Sequence, residues 1–411
     1  MSSAHIKRKS LRKKICVVFG LFVVALAFLT TGYIYLKSGE VERTQKKLDP
    51  FYTASYPIPA NPGTLLKKER LDFSVPNLKA AYRILYVTEG VDGKERVSSG
   101  MVFIPSAKAP VGGRAVLAWA HGTLGMADAC APSRSVKPLG DMQWLEEALA
   151  QGWVVTATDY AGLGTVGTSY YLIGKAEAQD VLNSVRVVKN MPEVNAGDRF
   201  VLYGHSQGGH SVLWSAKLAS DYAPELNLVA VAAAAPAAEL SSLLNQEYDK
   251  AVSWGIGPEI AVAWPDIYPN LDLQNTLSKG AYNTYKNLSL ECLNENPLGI
   301  KARVIIGKPF FAVNPTSNAG WVAALDAESA PYLDSHTPLI IAQGLNDEVV
   351  LPNTTALYAK NACGNNSNLT MMWMGDVGHI PIANTAGPFV VSWLEQRLEG
   401  IPVTSNCNQP L

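Results

Sequence analysis

The sequence predicts an α/β protein with a mostly parallel, doubly wound sheet, an inserted helical cap and one N-terminal transmembrane helix. Three patterns support this prediction. Apolar strands alternate with segments of helical periodicity over residues 64–411, as in parallel sheets that carry helices on both faces. The alternation stops at about residues 237–336, where the mainly helical spacing of apolar residues predicts the cap. An uncharged apolar stretch, residues 15–36, predicts the membrane helix.

The composition is that of a folded chain without a nucleic-acid-binding surface. Of the 411 residues, 48% are hydrophobic and 17% are charged, so the chain can bury a large core. The formal net charge is -1, but six basic residues lie within residues 1–14, which contain no acid. The remainder of the chain is therefore acidic, and we expect no nucleic-acid partner. The six are Lys7, Arg8, Lys9, Arg12, Lys13 and Lys14.

The N-terminal part of the chain is predicted to hold the protein at a membrane. Residues 1–14 form a basic cytoplasmic tail, and residues 15–36 form a signal anchor, since about 22 residues at ~1.5 Å each span a ~30 Å hydrocarbon layer. The positive-inside rule then puts the main domain outside the cytoplasm, in a periplasmic or extracellular location. Residues 37–63, which are polar and contain proline, form a linker. The alternative is a signal peptide cleaved near Ala25–Ala27, in which case the protein is secreted.

The main domain, residues 64–411, begins with a predicted hairpin. Asp92-Gly93 separates two runs of alternating apolar residues, which is a strong signal for a tight turn between antiparallel strands. Continuous apolar runs then predict buried strands, and helical spacing follows most of them. These runs lie within Arg114–Gly122, Trp153–Gly164, Arg199–Tyr203, Leu226–Pro236, Thr337–Gly344 and Leu369–Gly375.

One strand leads into the pattern Gly204-His205-Ser206-Gln207-Gly208, which a helical pattern follows at once. In a strand, sharp turn and helix of this kind, the turn forces the serine into a strained conformation, and flanking glycines prevent clashes. The pattern therefore predicts that Ser206 is a nucleophile. The alternative is an ordinary strand-to-helix connection with a capping serine. His205 fills a variable position of the pattern, and His210 is interpreted as a packing or capping residue.

A serine nucleophile needs a histidine to take its proton and a carboxylate to orient that histidine, here in the chain order Ser, acid, His. Of the six histidines, His336 and His379 lie well downstream of Ser206. His379 follows the last predicted strand, whereas His336 precedes a strand and is interpreted as structural. The strand ending at Gly344 delivers Asp347, although an Asn-Asp pair is also common in plain turns. Lesser candidates for the acid are Glu348 and Asp376.

An acyl-transfer site also needs two donors for the oxyanion of the tetrahedral intermediate. One is predicted to be the Gln207 backbone N–H. The other is predicted to be the Thr123 N–H, because His121-Gly122 ends an apolar strand and permits close approach of the backbone. The alternative for this second loop is a glycine turn without a role in catalysis.

The five cysteines are interpreted for an oxidising compartment. Cys16 lies in the predicted anchor. The other four allow three pairings, between which the residues alone do not decide. No two of them have the Cys-X-X-Cys spacing of zinc sites, so we predict no metal and no other cofactor. The four are Cys130, Cys292, Cys363 and Cys407.

Several longer stretches together resemble the secretory lipase family of α/β-hydrolases. They read HGTLGMADACAPS, ATDYAGLGTVGTSYYLIGKAEAQDVLNSVR, YGHSQGGHSVLWSAKLASDYAPELNLVAVAAAAP, GLNDEVVLP and GDVGH, and the match runs from about Asp49 to Cys407. The resemblance implies an acyl-ester hydrolase with a helical cap after the sixth strand and a catalytic triad on Ser206, Asp347 and His379. It also implies disulfides that join Cys130 to Cys292 and Cys363 to Cys407. Many family members are secreted free, whereas this chain carries a predicted anchor.

The cap sequence predicts an apolar substrate. Trp254, Trp264 and Tyr268 are predicted to bind it, although such residues can equally form the cap's own core. An apolar underside above the nucleophile would bury an acyl chain, so we expect a small-molecule ester or lipid of medium or longer chain length. The same triad could also serve a peptidase or an acyltransferase. A third hypothesis is a catalytically inactive scaffold with this fold, which the filled catalytic positions disfavour.

Overall fold

In the computed structural model of the chain, the described residues are 43–53, 58, 61–72, 74–135, 137–293, 309–403 and 405–409. The predicted cytoplasmic tail and transmembrane segment, residues 1–36, lie outside them, as does Cys16. Within the described part, no helix has both the length and the apolar character to cross a membrane.

The strands of the described residues form one nine-stranded sheet. They are β1 (Leu65–Leu71), β2 (Leu78–Glu89), β3 (Glu95–Pro105), β4 (Arg114–Ala120), β5 (Val154–Thr158), β6 (Ala196–His205), β7 (Asn227–Ala234), β8 (Leu339–Gly344) and β9 (Leu369–Met374). Their order across the sheet is β1-β2-β3-β5-β4-β6-β7-β8-β9. The pairs β1–β2, β2–β3 and β3–β5 are antiparallel. The remaining neighbours, in the order β5-β4-β6-β7-β8-β9, are parallel. The prediction of a mostly parallel sheet is confirmed, and the predicted hairpin is the β2–β3 connection.

One strand of this sheet, β1, has no counterpart among the predicted strands. Its sequence, LLKKERL, has four consecutive charged residues in its centre, and most of its side chains are exposed or half-buried. β1 pairs with β2 at the edge of the sheet, where only one neighbour covers it. An edge strand in contact with water lacks the apolar run by which the buried strands could be predicted.

A helix, α1 (43–52), precedes β1 in the chain. Later helices connect the strands and cover both faces of the sheet. They are α2 (Leu145–Ala150), α3 (Gly174–Lys189), α4 (Gln207–Tyr222), α5 (Leu240–Glu247), α6 (Ser253–Ala263), α7 (Leu273–Thr276), α8 (Lys279–Ser289), α9 (Ala319–Glu328), α10 (Pro352–Gly364) and α11 (Ile382–Leu398). Short 3-10 turns lie at Asp128–Cys130, Pro132–Arg134, Trp264–Asp266 and Pro315–Ser317.

The core lies in two layers, one on each face of the sheet. Along β4, Leu117 and Trp119 point into the layer that α2, α11 and the cap cover. Val116 and Ala118 point into the opposite layer, which α3, α4 and α10 cover. This alternation follows from the two-residue repeat of a strand. Because both layers are apolar, β4 is hydrophobic at every position after Arg114.

The predicted cap corresponds to the chain between β7 and β8. Its described residues contain α5 to α9 and contribute no strand to the sheet, while residues 294–308 lie outside the described part. Since β1 precedes the predicted hairpin, the cap follows the seventh strand of the sheet rather than the sixth.

The predicted linker, 37–63, differs from the structure in two ways. Residues 43–52 are helical, and the compact main unit begins at Tyr52 rather than at residue 64. Tyr52 is buried, and its hydroxyl lies 2.7 Å from Ser133 Oγ, so it belongs to the folded domain. The nearby prolines indicated an irregular spacer, so the sequence predicted neither the helix nor the start of the main unit at Tyr52.

Two disulfides connect distant parts of the main unit. Cys130 is bonded to Cys292, and Cys363, at the end of α10, is bonded to Cys407 near the C-terminus. The first joins the loop after β4 to the cap, and the second ties the C-terminal tail to α10.

Removal of the second bridge by Cys363→Ser/Cys407→Ser should lower the free energy of unfolding. The bridge spans a sequence separation of 44, and in the chain-entropy model a loop of this size contributes about 4 kcal/mol. Urea unfolding of the double variant and the wild type, both without reductant, measures the difference. Equal midpoints, or free thiols at these two positions in the wild type, would contradict the expectation.

Candidate active site

Ser206 lies on a sharp turn between β6 and α4. Its backbone has φ 57° and ψ −116°, a conformation that non-glycine residues rarely adopt. Neighbouring glycines permit the turn. A Cβ on Gly204 would lie 2.1 Å from the Gly208 carbonyl oxygen, and one on Gly208 would lie 1.9 Å from that of Ala120. The sequence pattern therefore corresponds to a strained turn packed against β4.

The structure brings the three predicted triad residues together. His379 Nε2 lies 2.9 Å from Ser206 Oγ, and His379 Nδ1 lies 2.8 Å from Asp347 Oδ2. All three side chains are buried. Asp347 lies in the loop after β8, and His379 lies in the loop after β9, so both follow strands as the sequence predicted. In this geometry the imidazole can accept the serine proton while the carboxylate fixes its orientation.

Asp347 is itself held by its surroundings. Its Oδ1 accepts hydrogen bonds from the Val349 and Val350 amides, at 2.8 and 2.9 Å. Its Oδ2 accepts a third from Gln343 Nε2 at 3.2 Å, and Gln343 Oε1 accepts one from Thr355 Oγ1. Gln343 was absent from the sequence prediction, because a single amide in an apolar strand has no local signal of its role.

Asp347, and neither lesser candidate for the acid, is the carboxylate bound to His379 Nδ1. Glu348 and Asp376 are exposed, in contrast to the buried Asp347. His336 is also exposed and lies in the turn before β8, where its N–H donates to Asp334. His210 is buried below the site, with Nε2 2.7 Å from the Glu328 carbonyl oxygen. These positions agree with the interpretation of His336 and His210 as structural residues.

His205 has a closer relation to the site than the sequence indicated. Its Nε2 donates to the His379 carbonyl oxygen at 3.0 Å, and the two imidazole centroids are 4.8 Å apart. Burial, reinforced by the nearby His379, lowers the pKa of His205 to about 3. At neutral pH, His205 is therefore uncharged and places no positive charge next to His379.

The two predicted oxyanion donors belong to segments that meet at Ser206. Gln207 is the first residue of α4, where helical geometry provides no acceptor for the leading amides. Thr123 lies in the loop after β4 and lines the same cavity as Ser206. A Cβ on the preceding Gly122 would lie 3.4 Å from Ser206 Cβ, so glycine permits this close approach.

A cavity of about 490 Å³ extends from Ser206 and His379 into the cap. Its walls are mainly apolar. The cap contributes side chains of α5 and α6, and the loop after β8 contributes Val349 and Val350. The apolar cap residues include Leu240, Leu243, Leu244, Val252, Ile256 and Ile260.

Of the three aromatic residues predicted to bind substrate, the structure brings Trp264 alone to this cavity. Trp254 instead packs edge-on against Phe310, with centroids 5.3 Å apart, inside the cap. The Tyr268 hydroxyl donates a hydrogen bond to Glu328 Oε1 at 2.5 Å, so its donor is already bound to a carboxyl group. The prediction for Trp254 and Tyr268 is corrected accordingly, because the composition of the cap does not reveal which face of a helix meets the cavity.

The loop that carries Thr123 is bound to the cap at several points. The Met126 amide donates to the Ser289 carbonyl oxygen at 2.7 Å, and the Leu293 amide donates to that of Leu124 at 2.9 Å. The Cys130–Cys292 disulfide lies next to these bonds. The cap therefore fixes the loop in addition to covering the cavity.

A comparison with protein families decides the relationship of the chain. The model of the family described as secretory lipase matches residues 131–406, more than half of the chain. The chain belongs to the secretory lipase family. The protein is accordingly a carboxylic ester hydrolase of the lipase and esterase class, as the sequence predicted.

Three known proteins are similar to the chain along most of its length. The chain is 25% identical to a secreted triacylglycerol lipase of Malassezia globosa, over 94% of this chain and 87% of that protein. It is 24% identical to a probable inactive lipase of Mycobacterium tuberculosis, over 92% of this chain and 89% of that protein. The solved structure of Candida antarctica lipase A is similar with a TM-score of 0.69 at 20% identity, covering 88% of each chain. This last likeness shows a shared α/β-hydrolase fold.

The low pKa of His205 should make part of the stability depend on pH. An unfolded histidine takes up a proton near pH 6.5, but folded His205 does not until about pH 3. The free energy of unfolding should therefore fall as the pH decreases from 6.5, by about 2–3 kcal/mol at pH 4.5 from this group. Urea unfolding of the wild type and His205→Gln at pH 7 and pH 4.5 measures it. If the free energy of unfolding fell by the same amount between pH 7 and pH 4.5 in both proteins, the expectation would be contradicted.

Proposed function

We propose that this protein hydrolyses carboxylic esters of medium and long acyl chains through an acyl-enzyme intermediate on Ser206. The observation that carries the proposal is the 2.9 Å contact between Ser206 Oγ and His379 Nε2 at the wall of a large apolar cavity. A nucleophile with its base at hydrogen-bond distance supports covalent catalysis. The cavity supports binding of an apolar chain beside the nucleophile.

Acylation would begin when His379 Nε2 takes the proton of Ser206 Oγ as this oxygen bonds to the ester carbonyl carbon. Asp347 would hold Nδ1–H and stabilise the imidazolium that forms. The carbonyl oxygen would become an oxyanion, for which the Gln207 and Thr123 amides are the proposed donors. Each such donor typically lowers the barrier by about 2.7–4 kcal/mol. The ester C–O bond then breaks, and the alcohol oxygen leaves with the proton from His379.

Deacylation would repeat these steps with water. His379 Nε2 takes a proton from the water as its oxygen bonds to the acyl carbon, and the same donors hold the second oxyanion. The bond to Ser206 Oγ breaks, and this oxygen recovers its proton from His379. The product is a free carboxylic acid, and the enzyme returns to its initial state.

The cavity walls favour an ester substrate over a peptide. Leu243, Ile256 and Ile260 provide apolar contacts for an acyl chain, and we include Trp264 in this proposed binding surface. A peptidase would need polar groups that match the amides of its substrate along the cleft. The filled triad positions favour an active enzyme over an inactive scaffold. One relative, from Mycobacterium tuberculosis, is named a probable inactive lipase.

We infer that the enzyme acts outside the cytoplasm. Relatives such as the Malassezia globosa lipase are named as secreted proteins. The two disulfides are also typical of oxidising compartments. Attachment to a membrane through residues 15–36 stays a prediction from the sequence.

Ser206→Ala, Asp347→Asn and His379→Ala should each lower ester hydrolysis by about three to six orders of magnitude, because members of a triad act as a unit. Initial rates with a p-nitrophenyl octanoate substrate measure the loss. The matched controls are His336→Ala and Asp376→Asn, which remove exposed residues of the same types and should keep wild-type rates. Near-normal activity of the Ser206 or His379 variant would refute the mechanism.

The ratio kcat/KM should rise from acetyl to octanoyl esters. Each CH₂ buried in the cavity contributes about 0.8 kcal/mol, which corresponds to a rise of up to about four-fold per group. A series of p-nitrophenyl esters, assayed beside aminoacyl anilides, gives the measurement. A maximum at the acetyl ester, or faster cleavage of the anilides, would show that the apolar cavity does not select the substrate.

A further inference from the structure

A short segment that follows β5 contacts both proposed sides of the oxyanion hole. This segment, Tyr171–Glu177, includes the first turn of α3, and none of its residues was a predicted site residue. Tyr171 and Glu177 stand at its two ends, and both are buried. Each makes a side-chain contact with one of the two proposed donor residues, Thr123 and Gln207.

The first contact lies on the Thr123 side. Tyr171 Oη is 2.9 Å from Thr123 Oγ1, and both residues line the cavity beside Ser206. This bond restricts rotation of the Thr123 side chain and of the loop that carries its amide. The two residues are 48 positions apart in the chain, so the contact depends on the tertiary fold.

The second contact lies on the Gln207 side. Glu177 Oε1 accepts hydrogen bonds from Gln207 Nε2 at 2.6 Å and from the Leu172 amide at 2.9 Å. Glu177 Oε2 accepts one from Ser211 Oγ at 2.7 Å. Gln207 and Ser211 are four residues apart and lie on one face of α4. One carboxyl group therefore fixes the rotation of the first turn of α4, and with it the direction of the Gln207 amide.

The cap holds this segment from the other side. Trp264 Nε1 donates to the Tyr171 carbonyl oxygen at 3.1 Å, and the Gly174 amide donates to Glu328 Oε2 at 2.7 Å. Trp214 packs against Gly174 so closely that a Cβ there would lie 2.2 Å from the indole nitrogen. The segment is thus enclosed between the cap and α4 and has little freedom to shift.

We propose that Tyr171–Glu177 is the common support of the oxyanion hole, with Tyr171 and Glu177 as positioning residues for Thr123 and Gln207. This inference rests on the proposed function. Neither side chain touches the reacting atoms, so their effect is on the placement of the two amides. Because oxyanion donors act mainly on the transition state, loss of the support should lower kcat and leave KM nearly unchanged.

The test compares Tyr171→Phe and Glu177→Gln with the wild type on p-nitrophenyl octanoate. Tyr171→Phe removes the hydroxyl that contacts Thr123. Glu177→Gln keeps the shape of the side chain, but it replaces one carboxylate oxygen with an NH₂ group, which cannot accept the hydrogen bonds that Glu177 accepts. We expect kcat to fall roughly 10- to 100-fold, less than the ~10²–10³ for a deleted donor. KM should change by less than about three-fold. A Thr123→Val/Tyr171→Phe double variant should be no slower than Thr123→Val alone, because both changes break one contact.

A second measurement separates positioning from general damage to the fold. Ser206 Oγ can attack the carbonyl carbon of an octyl trifluoromethyl ketone, and the oxyanion of the resulting adduct needs the oxyanion hole. The matched 2-alkanol has no carbonyl group and cannot form this adduct. Both positioning variants should lose affinity for the ketone in proportion to kcat/KM and keep their affinity for the alkanol. The control variants are Tyr358→Phe and Asp180→Asn. Tyr358→Phe removes a buried hydrogen bond to the Pro331 carbonyl oxygen, and Asp180→Asn changes a buried carboxyl group that accepts from the Ala161 amide. Both positions lie outside the segment Tyr171–Glu177, so each variant should keep both affinities.

The outcomes distinguish this inference from the proposed function. If Ser206→Ala is inactive while Tyr171→Phe and Glu177→Gln keep wild-type kcat and ketone affinity, the support role is refuted and the mechanism stands. If Ser206→Ala stays active, the proposed function itself fails. Should Glu177→Gln not fold, Tyr171→Phe decides alone: a lower kcat with unchanged KM supports the inference, and an unchanged kcat refutes it.

Discussion

The active-site geometry depends on the backbone conformation of a single residue, Ser206. A positive φ is costly for a serine, by about 1–3 kcal/mol, and persists only where the surroundings enforce it. Here β6 and α4 enforce it from both sides, and Gly208 lets α4 approach the end of β4 closely. The same close packing brings Gly122 against Ser206. The nucleophile and the loop with Thr123 are therefore positioned by one packing arrangement.

The parallel sheet brings the remaining groups to the same place. β4, β6, β8 and β9 run in one direction, so the loops at their carboxyl ends lie along one edge of the sheet. Those four loops carry Thr123, Ser206, Asp347 and His379. The direction of the strands thus brings chain segments that are far apart in sequence to one site. The antiparallel strands β1 to β3 extend the sheet and contribute none of these four residues.

The sequence predicted those features of the fold and the site that have a local pattern of residues. Buried parallel strands contain continuous apolar runs. The catalytic acid and histidine are expected in loops directly after such strands, so Asp347 and His379 could be found. β1 was missed because an exposed edge strand carries charged residues. Trp254 and Tyr268 were misplaced because aromatic content predicts burial but not the surface on which a side chain is buried. Tyr171 and Glu177 left no signal, since their contacts with Thr123 and Gln207 join separate segments.

The disulfide between Cys130 and Cys292 limits how a substrate can reach Ser206. The cap is joined to the sheet by its chain connections at β7 and β8, and this bond adds a third attachment. A body attached at two points can swing about the line between them, but a third point off that line prevents rotation as a whole. A substrate must therefore reach Ser206 without rotation of the cap as a whole.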